Sequence, residues 1–145
     1  MARRWRKARL GEISTDRPPE WWQDWARESD YGLRWRQIRE HLGITGFGVN
    51  ANEADAGREL VVPHEEASYG GQEELYFLVR GRARFTCDGD EVELGAGELL
   101  YVPPEVTREA VALETPTLVF MVGGVPGAYR PFDWDAWKAE NPSES

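Results

Sequence analysis

The chain has 145 residues, enough for one domain with a real core, and 41% of them are hydrophobic, which points to a folded rather than a disordered protein. Its formal net charge is −9, so the body should repel nucleic acid and anionic membrane surfaces, and neither is expected as a partner. No apolar run approaches the length of a membrane-spanning helix.

The N-terminus, "MARRWRKARL", is the one basic exception, with five Arg or Lys and no acid in ten residues. On so acidic a protein it reads as a terminal tail that pairs with the body rather than as an arm for nucleic acid or lipid. It lacks the apolar stretch of a secretory signal. Cys87 is the only cysteine, which rules out an intrachain disulfide, and a reducing, cytoplasmic setting is expected. Residues 1–43 are read as a helical, Trp-rich extension. Pro18 and Pro19 suit a helix start, and Trp21, Trp22 and Trp25 then share a face. In "LRWRQIREHLG", Leu33, Ile38 and Leu42 fall on one stripe, Gly43 supplies the stop, and His41 is a surface or packing residue.

From Ile44 the pattern changes to short strands separated by turn signals: "ITGFGVNAN", "ELVVPHE", "EELYFLVRG", "ARFTCDG", "EVELG", "ELLYVPP", "TREAVALE" and "TLVFMVGG". Asp88-Gly89 suits a hairpin turn that needs positive φ. Eight such strands with no helix between them predict an all-β antiparallel barrel or jelly roll over residues 44–123. Residues 124–145 form a tail whose Phe132, Trp134 and Trp137 are expected to fold back on the barrel or on a neighbouring subunit.

The chemistry gathers in "VVPHEEASYGGQEELYFLVRG". His64 and Glu66 are two apart, so on a strand they share a face, and Glu74 follows a loop containing Gly70 and Gly71. Period-2 alternation adds Tyr76 and Leu78 to the Glu74 face, and Ala110 and Ala112 to the Arg108 face, where small residues would leave room for a ligand. Glu65 and Glu73 alternate away as rim charges. Cys87 has no basic neighbour in sequence and reads as an inert thiol. "GITGFG" and "GVPG" lack the strand-to-helix context and the Lys of a phosphate loop.

Gly57, His64, Glu66, Glu74 and Gly81, followed by Gly97, Pro103, Glu105 and Arg108, resemble the two motifs of the cupin superfamily. The likeness covers residues 44–123. It extends to "EELYFLVRGRARFTCDGDEVELGAG" and "PPEVTREAVA", which look like a group of small bacterial cupins of unassigned function. The resemblance implies a double-stranded β-helix (a jelly-roll barrel) with its site inside, and a homodimer. It also implies a metal site of three histidines and a glutamate, of which only His64 and Glu74 match. Glu66 and Arg108 stand in the other histidine positions.

Glu66 remains an acceptable ligand, so His64, Glu66 and Glu74 are the metal candidates, for Zn, Mn, Fe or Ni. Arg108 argues against it, because a guanidinium has no lone pair to give. Two unit charges ~4 Å apart repel by about 4 kcal/mol at an effective dielectric of about 20. The balance therefore favours no resident metal. It favours a small-molecule pocket of His64, Glu66, Glu74, Tyr76 and Arg108 that takes a small polar or anionic ligand, with Arg108 anchoring the anion. The alternative is a cupin enzyme, either metal-dependent and dioxygenase-like or an isomerase or lyase, using His64, Glu66 and Glu74. Whether the protein is catalytic is left open.

Overall fold

All eight expected strands form, and a short ninth precedes them. The structure, a computed structural model, describes residues 4–15 and 34–143. The expected helix carrying Trp21, Trp22 and Trp25 lies outside the described residues, as does Leu33. The rest of the extension departs from the helical reading. Leu10–Glu12 is a single 3-10 turn, Arg34–Arg36 is strand β1, and only Ile38–Leu42 is helical (α1). Cross-strand ion pairs select the strand. Arg34 pairs with Glu53 across the neighbouring strand, their side chains 2.7 Å apart, and reaches Asp55 at 3.1 Å. Gly43 stops α1 as expected, in the left-handed conformation at φ 69.

The remaining strands are β2 Gly48–Ala54, β3 Glu59–His64, β4 Glu73–Arg80, β5 Arg82–Cys87, β6 Asp90–Gly95, β7 Leu99–Val102, β8 Arg108–Ala112 and β9 Thr117–Gly124. They form two antiparallel sheets, in the orders β1-β2-β9-β4-β7 and β3-β8-β5-β6. Period-2 alternation turns one side of each strand into the space between the sheets. Leu60, Tyr76, Leu78, Phe85, Val102, Val119 and the small Ala83, Ala110 and Ala112 fill it. Full burial of a side chain such as Leu78 or Phe85 contributes about 2 kcal/mol. On the outer face of the first sheet, Ile13 and Ile38 cover Val49 and Ala51. Arg36 ties that cover down by donating to the Ile13 carbonyl at 2.7 Å.

Two turns explain residues that the pattern singled out. Asp88 and Gly89 both take positive φ, 49 and 86, in the β5–β6 hairpin. Gly81, between β4 and β5, has φ 82, and a Cβ there would lie 2.5 Å from Thr117 Oγ1 and 2.9 Å from the Pro116 carbonyl. Only glycine fits that crossing.

After β9 the tail carries helix α2, Trp134–Glu140, capped by Asp133, which accepts from the Ala136 N–H at 2.9 Å. Trp134 meets Phe132 and Trp137 edge to face, with centroids 4.6 and 5.9 Å away, and all three stay exposed. Every described residue from Val125 onward is exposed, so the tail is not buried on its own barrel. Among the described residues no helix is long and apolar enough to cross a membrane.

Candidate functional site

The site lies where β3 ends and β4 begins, at one mouth of the barrel. His64 is the last residue of β3 and sits opposite Arg108 of β8, after an irregularity that begins beyond Val61. Its Nδ1 is 2.7 Å from the Val62 carbonyl, which can only accept, so Nδ1 carries a proton. Its Nε2 points at two carboxylates, 3.2 Å from Glu66 Oε1 and 3.6 Å from Glu74 Oε1. Burial opposes a charged imidazole, but the hydrogen bonds to Glu66 and Glu74 outweigh it and push the pKa up to about 9. His64 is therefore an imidazolium at neutral pH.

Glu66 does not reach the site by strand alternation. β3 has ended, and a loop brings the residue in. The N–H groups of Glu66 and Ala67 both donate to the Pro104 carbonyl at 2.9 Å, and the Glu66 carbonyl accepts from Tyr69 and Gly71. Glu65, beside it, accepts from the Ser68 N–H at 3.0 Å and lies at the pocket rim as expected.

Glu74 is the hub. Its Oε1 accepts from the Tyr76 hydroxyl at 2.8 Å and from Arg108 Nη1 at 2.9 Å. Burial alone would raise its pKa, but hydrogen bonds from His64 and Tyr76 and the charges of His64 and Arg108 hold the carboxyl below its ordinary range. Tyr76 is fully buried, and burial, reinforced by the Glu74 charge, pushes its phenol well up.

Arg108 is also fully buried. Its Nη2 donates to the Pro103 carbonyl at 2.7 Å, and its Nη1 is also 3.6 Å from Glu66 Oε1. Arg108 and Tyr76 thus support the carboxylates from behind and do not line the cavity, so Arg108 is not placed to touch an anion.

In front of the cluster opens a pocket of about 990 Å³, lined among others by Trp35, Asn52, His64, Glu66, Glu74 and Met121. Ala110 and Ala112 do not open it. They face inward as expected, but they belong to the packed core beside Phe85. Trp35, Asn52, Gln72 and Met121 escaped sequence reasoning. The inward phase of β2 and β9 could have found Asn52 and Met121, but Trp35 was hidden by the helical reading of its segment. Glu73 accepts from Tyr101 at 2.9 Å, His41 is exposed, and burial raises the pKa of the Cys87 thiol.

One donor atom each from His64, Glu66 and Glu74 lie within 4.8 Å of one another, a spacing that could hold a metal ion. The Val62 bond to Nδ1 would orient Nε2 for that role. Against it, the Glu74 oxygen nearest His64 already accepts from Tyr76 and from a fixed cation, Arg108.

The cupin domain family matches residues 59–123. Among solved structures, the chain is similar to a cupin protein from Bacteroides fragilis at 20% identity and a TM-score of 0.66, covering 90% of this chain and 92% of that one. It is similar to a sugar phosphate isomerase of the cupin superfamily from Silicibacter pomeroyi at 17% identity and a TM-score of 0.60, covering 81% and 74%. It is also similar to KdgF from Halomonas sp. at 20% identity and a TM-score of 0.54, covering 63% and 77%. At these identities the likeness is one of fold. No curated protein matches the sequence.

Proposed function

The chain belongs to the cupin superfamily, and from that premise we propose that its barrel binds a small polar molecule without a resident metal. The observation that carries this reading is the 2.9 Å bond from Arg108 Nη1 to Glu74 Oε1. The guanidinium engages the Glu74 oxygen that lies nearest His64, and it cannot be deprotonated to release it. A cation entering among His64, Glu66 and Glu74 would face the fixed charge of Arg108 and would have to displace the proton on His64 Nε2.

His64 Nε2–H is engaged by the carboxylates, and Glu66 and Glu74 then line the pocket as acceptors. Arg108 and Tyr76 act by positioning Glu74. Elemental analysis of protein purified without added metal or chelator tests the reading, and substoichiometric Zn, Mn, Fe and Ni are expected. Near-stoichiometric metal would overturn it and make a metal-dependent enzyme using His64, Glu66 and Glu74 the leading reading.

We also propose a homodimer. Leu75, Val79, Leu99 and Tyr101 project from one face of neighbouring β4 and β7 and are all more than 40% exposed. That row continues the apolar outer face which Ile13 and Ile38 cover over β2, and a second copy would cover the remainder.

A further inference from the structure

The C-terminal arm carries an aromatic surface that its own barrel leaves in water. Gly124 closes β9 opposite Glu73, and every described residue beyond it is exposed. Tyr129, Phe132, Trp134 and Trp137 are between 46% and 80% exposed, and the last three cluster at the start of α2. That helix is only 7 residues long. Isolated helices shorter than about 12–15 residues are marginal in water, so one this short depends on packing its apolar side against something.

The same chain leaves a complementary surface open. Leu75 and Val79 of β4 and Leu99 and Tyr101 of β7 form an exposed apolar row, with Phe77 half-buried between them. The arm starts beside that row. Its root, Gly124, pairs with Glu73, and Glu73 accepts from the Tyr101 hydroxyl at 2.9 Å. A two-fold axis beside the row therefore brings both arm roots to it. The segment Val125 to Phe132 then spans at most about 28 Å, enough to lay α2 on the other copy.

The sizes agree. A wholly buried aromatic side chain covers about 150–250 Å², so the four aromatics of one arm leave on the order of 500 Å² to bury. Two arms and the rows beneath them would bury on the order of 2,000 Å², the range of a stable interface. A foreign partner on the arm would leave the row open, whereas exchange between identical chains covers both and closes on itself.

Resting on the homodimer reading, we infer that the arms are exchanged: Phe132, Trp134 and Trp137 of each copy pack on Leu75, Val79, Leu99 and Tyr101 of the other.

The test mixes full-length chains and reads paramagnetic broadening by NMR. One chain is isotope-labelled, and the other is unlabelled, with Cys87→Ser and a nitroxide on Ala136→Cys, an exposed position of α2. The amides of Leu75, Phe77, Leu99 and Tyr101 in the labelled chain should broaden. A second sample carries isotope and nitroxide on one chain, diluted into unmodified protein, and those amides should stay sharp. In sedimentation, Trp134→Ala with Trp137→Ala should weaken the dimer at least about hundredfold, as for residues that dominate an interface. Both side chains are exposed in the single chain, so the barrel stays folded. A dimer without broadening between chains, or one indifferent to the two alanines, would overturn the exchange and leave the dimer reading standing. Broadening confined to the chain that bears the nitroxide would place the arm on its own barrel and overturn it too. If the parent chain is a monomer at every concentration, both readings fail together.

Discussion

Arg108, with no exposed surface, donates through Nη1 to Glu74 Oε1 at 2.9 Å, and the same oxygen accepts from Tyr76 at 2.8 Å. Those two contacts convert what the motif spacing presents as a ligand set for a metal into a carboxylate held by the protein's own cation.

Removing the cation should therefore be costly. Arg108→Met leaves Glu74 in a site whose side chain is only 11% exposed, without the guanidinium that donates to it at 2.9 Å. A loss of about 3 kcal/mol in urea unfolding is expected. Adding Glu74→Gln to that variant should recover part of the loss, because the stranded charge is then gone. A second substitution that gives simple additivity would show that the pair is not coupled.

Arg108→His probes the metal question from the other side. It removes the fixed cation and supplies a lone pair beside His64, Glu66 and Glu74. Zinc or nickel binding by calorimetry is expected to appear or to strengthen at least tenfold over the parent. An unchanged affinity would mean that Arg108 does not gate the cluster.

His64 should make stability depend on pH. Its folded pKa, about 9, lies above the ordinary 6.5. The contribution is therefore complete below about 6.5 and is lost as pH rises through 9. Its upper size is about 3 kcal/mol, since each pKa unit corresponds to about 1.4 kcal/mol. Urea midpoints should fall between pH 6.5 and 9.5, and His64→Gln should flatten that part of the profile. The chain has only two histidines, so NMR titration of the His64 ring can be read directly.

Two glycines with similar backbone angles should respond differently to alanine. Gly81 has φ 82 with Thr117 and the Pro116 carbonyl inside contact distance, whereas Gly97 has φ 90 with nothing within 4 Å. Gly97→Ala should cost about 1 kcal/mol of backbone strain alone. Gly81→Ala should cost at least about 2 kcal/mol, because backbone atoms must also move. Equal losses in chemical unfolding would contradict the close crossing.

For the proposed dimer, light scattering should give twice the chain mass for the parent protein. Leu99→Glu with Tyr101→Glu should give a monomer that remains folded, since both side chains point away from the core. A parent monomer would rule the dimer out.

What could be read from the residues alone was set by short-range rules. Strand-like runs between turn signals placed all eight barrel strands, from "ITGFGVNAN" to "TLVFMVGG", because a half-buried strand sorts polar from apolar side chains by alternation. The Asp88-Gly89 turn and the Gly43 stop followed from backbone conformations that few residues tolerate. The likeness to the cupin motifs grouped His64, Glu66, Glu74 and Arg108, and their side chains lie together in the fold. Only the tertiary structure decided what they do to one another. Burial depth put Arg108 and Tyr76 behind the carboxylates, a loop hooked on Pro104 carried Glu66 in, and sheet pairing turned Trp35 and Asn52 into a pocket wall. Each of these depends on residues distant in the chain meeting within or between the two sheets, and alternation within one strand carries no information about which strand lies opposite.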